Sequence, residues 1–243
     1  MIRVFGATAL LLPVLLLPAT ANAESFTPAQ RDEIVGIVRQ ALKSDPSILR
    51  EAINSLQADE TAHSQEASRA AIAAARGELV TPADPVVGDP HGDVTIVEFF
   101  DTRCPYCRKM EPVVDGFLNQ DKRVRLVYKD LPILGPASVL GSKALLAAQK
   151  QNAYAPMRAA VMKLPPDTTL AQIETAAKSL GLDWPRLAHD MEDPSVQARI
   201  DANLALAHGL GIQGTPALVV GETLVPGAVD AAELRKAVAD ARK

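Results

Sequence analysis

The chain holds two cysteines, two residues apart, in Cys104-Pro105-Tyr106-Cys107. In a helix that spacing brings the sulfurs about one turn apart. One can attack a disulfide, and the other can resolve the mixed disulfide that forms. A nucleophilic cysteine must be a thiolate at working pH and must be reachable. A position after a buried strand, at the first turn of a helix, supplies both, because free backbone amides and the helix dipole favour a negative sulfur. Pro105 suits the first helical position, where a missing amide hydrogen costs nothing. Cys104 is the expected nucleophile and Cys107 the expected resolving thiol. Two other uses compete. A zinc site takes about four ligands; this pair supplies two, and His63, His91, His189 and His208 are scattered without paired spacing. A purely structural disulfide across so short a loop removes little chain entropy. No metal and no cofactor is expected.

The elements that must hold such a site flank it. Val94 to Phe100 is a β-branched and aromatic run, expected as a strand. A helix is expected from Cys104 to about Asn119 and a strand over Val124 to Tyr128. Helical patterns follow over 137–150, 153–163, 170–180 and 195–208. Two short strands, 217–220 and 223–225, flank a Gly221-Glu222 turn, and a helix is expected over 231–241. The order is a βαβ unit, a helical insertion at about 137–210 and a ββα unit, giving an α/β domain over 93–243. A Cys-x-x-Cys in a βαβ context reads as a thioredoxin-like redox motif.

Upstream, 24–77 is expected to be a helical extension. Thr27-Pro28 with Gln30 is a helix start, and Asp45-Pro46 is a second. Leu49, Ile53 and Leu56 form an apolar stripe whose register fades through Glu60, His63, Ala67, Ala70 and Ala74. Such a helix is either a stalk that packs against copies of itself or a solvated connector. Gly77 is expected to end it. Three prolines and a glycine between Thr81 and Pro90 mark 78–92 as a linker.

The first 23 residues read as a secretory signal peptide. Arg3 precedes the apolar run Ala9 to Leu17, and Ala21-Asn22-Ala23 is a small-x-small cleavage pattern. The run is shorter than the roughly 20 residues that span a bilayer. Export places the cysteines where disulfides can form. A net charge of −4 over 243 residues, with no basic run, gives no electrostatic footprint for nucleic acid.

Val97-Glu98-Phe99-Phe100-Asp101 followed by Cys104-Pro105-Tyr106-Cys107 resembles the bacterial DsbA family of periplasmic thioredoxin-fold proteins. Gly214-Thr215-Pro216 resembles that family's cis-proline loop. Leu131 to Gly135 and Ser138 resemble its segment after the second strand. The resemblance covers roughly 86–242. The extended N-terminus and the Cys-Pro-Tyr-Cys motif are most similar to the copper-sensitivity-suppressor (ScsC) and Com1-type members. It implies a thioredoxin-like fold, a redox pair at Cys104 and Cys107, and Thr215 with a cis Pro216 beside the thiols to receive an extended client strand. It implies that Glu98 is a buried acid with a raised pKa that shuttles protons to Cys107, with Lys129 as its potential partner. Pro112 matches a helix-bending proline.

Strong oxidases of the family have histidine where Tyr106 stands and valine where Thr215 stands. Both departures fit a less oxidising protein that reshuffles disulfides. The expected function is therefore a periplasmic disulfide isomerase or reductase, oligomeric through 24–77, that serves unfolded or misoxidised exported proteins and a membrane redox partner. A monomeric dithiol oxidase and a copper-handling or surface binding protein are the alternatives.

Overall fold

The computed structural model describes residues 26–243, so the expected signal peptide at 1–23 lies outside the described residues. Among these residues no helix is long and apolar enough to cross a membrane. The chain divides into two compact units between Gln57 and Ala58.

The first unit is helical. Helix α1 (Pro28–Ser44) opens on a capping box: Thr27 Oγ1 accepts the Gln30 amide, and Gln30 Oε1 accepts the Thr27 amide. Asp45 takes the Ser47 amide and starts α2 (Ser47–Ala74). No α1 residue is buried. Ile37, Leu49, Ile53 and Leu56 stay exposed.

The second unit is built on a five-stranded sheet. Helix α3 (Arg76–Leu79) and strand β1 (Val86–Gly88) precede β2 (Val94–Phe100). Then come α4 (Pro105–Gln120), β3 (Val124–Asp130), α5 (Pro136–Gln149), α6 (Tyr154–Val161) and α7 (Leu170–Ser179). Helices α8 (Trp184–Met191) and α9 (Pro194–Gly209), strands β4 (Ala217–Val220) and β5 (Thr223–Pro226), and α10 (Ala231–Ala241) complete it. The strand order is β1-β3-β2-β4-β5. Strand β2 pairs parallel to β3 and antiparallel to β4. This is the thioredoxin-like α/β arrangement, with α5 to α9 inserted between β3 and β4.

Period-two alternation sorts the strand side chains onto two faces. Ile96, Phe100, Leu126, Tyr128 and Leu218 join a core with α4, α10 and much of the insertion. Val97, Phe99, Val127 and Val219 join a second core with Ile72, Leu79 and the end of α9.

Three local expectations change. Ile72 is buried against the sheet, α2 stops at Ala74, and Gly77 lies inside α3 instead of ending the extension. Ile72 lies off the Leu49-Ile53-Leu56 register, and a different face of the same helix becomes core. The stretch 78–92 contains β1, hydrogen-bonded antiparallel to β3. Pro85 and Gly88 read as linker punctuation, yet an edge strand tolerates both; Pro85 still offers its carbonyl to the Tyr128 amide. Helix α8 was legible but missed: Asp183 caps it, Pro185 sits in its first turn, and Leu187 and Met191 bury at spacing four.

Candidate active site

Helix α4 starts at Pro105 with Cys104 as its N-cap residue, in extended conformation. The helix continues through Pro112 to Gln120. Cys104 makes no side-chain cap bond. Its thiol instead donates to the Thr215 carbonyl at 3.1 Å. Thr215–Pro216 is a cis peptide, and the Pro216 carbonyl accepts the Gly227 amide. The fold therefore brings Cys104 and the Thr215-Pro216 loop together from positions 111 residues apart. Cys104 is 4 % exposed, Cys107 0 % and Tyr106 63 %. Both cysteines are buried, and of the two residues Cys104 keeps a small residual exposure. Burial pushes the Cys107 thiol far up, so it stays protonated until a base takes its hydrogen. A cleft of about 260 Å³ runs along the loop, lined by Ile212, Gln213, Thr215, Pro216, Leu224 and Pro226 among others.

Asp101 organises the approach to the motif. Its Oδ1 accepts the Arg103 amide and the Ser138 hydroxyl, and its Oδ2 accepts the Ile133 and Leu134 amides. The sequence segments 131–135 and 138 thus meet the motif through one buried carboxyl. The Asp101-to-Arg103 bond is an Asx turn, a local pattern that sequence alone could have flagged. Arg103 reaches on to the Leu134 and Pro166 carbonyls.

Glu98 is fully buried on β2. Its neighbours on the same face, Ile96 and Phe100, belong to the core that holds both cysteines. Burial pushes its carboxyl up to about 7, and Arg158 only partly offsets that. Lys129 is not its partner. Glu98 pairs in register with Tyr128, and Lys129 with Phe99, so the two side chains leave opposite faces of the sheet. The nearby cation is Arg158 of α6, with Nη2 3.8 Å from Glu98 Oε1. Sequence reasoning missed Arg158. Its signal was being the single charge on the apolar helix Tyr154-Ala-Pro-Met-Arg-Ala-Ala-Val161.

The raised carboxyl has a consequence for stability. Unfolded, Glu98 ionises near 4.5; folded, near 7. The folded state holds the extra proton in between, so Glu98 weakens the fold as pH rises from about 4.5 to 7, and the loss is complete above that. At 1.36 kcal/mol per pH unit this amounts to about 3 kcal/mol. Glu98→Gln is expected to match wild type near pH 4 and to be about 3 kcal/mol more stable at pH 8 in denaturant melts. Asp130, pushed by burial up to about 6, bends both curves the same way and cancels in the difference.

Comparison with known proteins places this geometry. Residues 95–239 match the DSBA-like thioredoxin domain, and residues 30–62 match the copper resistance protein ScsC N-terminal domain. A thioredoxin-like oxidoreductase from Silicibacter pomeroyi is 44 % identical, with a TM-score of 0.65; the match covers 67 % of this chain and 94 % of that one. Proteus mirabilis ScsC in a transitional conformation is 33 % identical over 91 % of this chain and 99 % of that one, with a TM-score of 0.65. A curated relative, Na(+)/H(+) antiporter NhaA 3 of Salinispora tropica, is 30 % identical over 161 residues, or 63 % of this chain. This chain spans 25 % of that relative's length.

Proposed function

We propose, from the premise that this chain belongs to the family of DSBA-like thioredoxin domains, that it is a thiol–disulfide oxidoreductase of exported proteins and that it reshuffles or reduces disulfides. The observation that carries this is Cys104 Sγ at 3.1 Å from the carbonyl of Thr215, beside the cis Pro216, with Cys107 sealed behind it. Cys104 attacks a client disulfide, forms a Cys104–client bond and releases one client thiolate. In isomerisation that thiolate, or another in the client, attacks the mixed disulfide and frees Cys104. In reduction the Cys107 sulfur attacks Cys104, the Cys104–client bond breaks, the Cys104–Cys107 bond forms, and the client leaves as thiolate. Glu98 takes the Cys107 proton in that step. Thr215 and Pro216 offer backbone to an extended client, and Pro105 and Tyr106 shape the helix start it meets.

Direction is supported by Tyr106 and Thr215. Tyr106 puts no imidazolium beside the sulfur, so the thiolate is less stabilised and the pair is less oxidising. The exposed stripe of the N-terminal helices supports self-association, because apolar patches of this kind mark interaction surfaces. Periplasmic action through the cleaved leader at 1–23, and reduction by a membrane partner, complete the proposal.

Refolding of a scrambled multi-disulfide protein tests it. Wild type is expected to rescue activity, and Cys104→Ala is not; equal rescue by both removes the function. A reduction potential near about −120 mV would mark an oxidase instead, while a value below about −180 mV fits the proposal. Light scattering is expected to show an oligomer. The double variant Ile53→Asp, Leu56→Asp is expected to become monomeric and to lose most scrambled-client rescue, while still reducing a small-molecule disulfide.

A further inference from the structure

We propose that Arg158, delivered by the helical insertion, is a positioning residue that sets the protonation of Glu98 and thereby ties proton transfer at Cys107 to the seating of the insertion on the sheet. The inference rests on the reading of Glu98 as the proton acceptor.

Arg158 is itself buried, at 4 % exposure. Its guanidinium lies 4.7 Å from the centre of the Phe100 ring and 4.1 Å from that of Tyr128. Those two rings meet edge to face, and Tyr154 stacks on Tyr128 from α6. The cation is thus held over two aromatic rings of the sheet, an environment that suits a weakly hydrated guanidinium better than an ammonium. Its two amino groups serve different elements. Nη1 donates to Glu111 of α4 at 3.1 Å, and Nη2 lies 3.8 Å from Glu98 of β2. One side chain from the insertion therefore touches the strand that precedes the nucleophile and the helix that carries both thiols.

The charges do not balance. Arg158 faces two carboxyls, and Asp115 adds a third negative group from α4. Glu111 is bonded to Arg158, whereas neither Glu98 oxygen has a hydrogen-bond partner, and neither has Arg158 Nη2. Glu98 is the more buried of the two acids. The proton that relieves the excess negative charge therefore belongs on Glu98. Tyr128 and Tyr154 face the same cluster and are held neutral by burial, well above their ordinary range. Removal of Arg158 leaves Glu98 buried among like charges, and its carboxyl must rise. Removal of Glu111 frees the whole guanidinium for Glu98, and its carboxyl must fall.

The experiment reads the Glu98 carboxyl directly, by carbon-13 NMR titration of the full chain, beside the pH profile of mixed-disulfide resolution. Arg158→Met is expected to move the midpoint up by about 1–2 pH units and to slow resolution at pH 7 about tenfold. Arg158→Lys is expected to recover part of both. Glu111→Gln is expected to move the midpoint down, and it carries the test where Arg158→Met does not fold. A midpoint unmoved in Arg158→Met, or one that fails to fall in Glu111→Gln, overturns the inference. Glu98→Gln separates the two layers: if it leaves the resolution profile unchanged, the proton-acceptor reading fails whatever Arg158 does to the carboxyl.

Discussion

Cys104→Ser is expected to abolish thiol–disulfide exchange by at least about a thousandfold, in line with the loss of a nucleophile elsewhere. Cys107→Ser is expected to do something different. It leaves the first attack intact and traps a Cys104–client disulfide that a non-reducing gel would display. The asymmetry follows from placement. Cys104 lies at the helix N-cap against the Thr215 carbonyl and is the less buried of the two cysteines. Cys107 lies behind it, fully buried, with its thiol held protonated by that burial. A client sulfur therefore meets Cys104 first. Only a sulfur already bound to Cys104 is close enough for Cys107 to displace it. Trapped adducts on Cys107 in the Cys104→Ser variant would show that this order is wrong.

The second large effect concerns the buried ion pair behind the sheet. Lys129 Nζ lies 2.7 Å from Asp84 Oδ2, with both side chains almost fully buried, and it also donates to the Glu78 carbonyl. Asp84 further accepts the Thr81 amide and meets Arg199 of α9 at 3.3 Å. One carboxylate thus fastens the segment before β1 to β3 and to the insertion. Removing Asp84 leaves the buried Lys129 ammonium without a counter-charge, which costs about 3–5 kcal/mol, whereas removing Lys129 leaves Asp84 with Arg199 still beside it. Asp84→Ala is expected to lose that much in urea melts, and Lys129→Ala less, because Arg199 still faces Asp84. The double variant is expected to lose clearly less than their sum, because neither charge is then left alone. Full additivity would mean that the two groups do not act as a pair.

The redox motif was legible because its chemistry is local. Two thiols one turn apart, a proline at the helix start and a preceding apolar strand are all short-range features, and so are the helix caps at Thr27 and Asp183. Pattern also carries the order of β2 to β5 and most of the helices between and after them, hence the α/β class. Features carried by long-range contact were harder. Strand β1 has three residues and a proline before it, and only its pairing with β3 makes it a strand. Ile72 looks like one more residue of a fading helix until the second core closes over it. The resemblance offers Lys129 as a potential partner for Glu98, and strand parity rules that out once the β2–β3 register is known.

By itself, then, the sequence determined that thiol exchange is the available chemistry, because Cys104 and Cys107 are the two sulfhydryls of the chain and local spacing sets their relation. Tertiary structure decided what surrounds them. It brought the Thr215 carbonyl from 111 residues away to the nucleophile, and it gave Glu98 an arginine from the insertion in place of the lysine that the resemblance offered as a potential partner. The reason is physical. Spacing along a helix or strand is fixed by backbone geometry, which the sequence states directly. The charge that reaches a buried carboxyl depends on which distant helix packs against it, and that is settled only when the whole core closes.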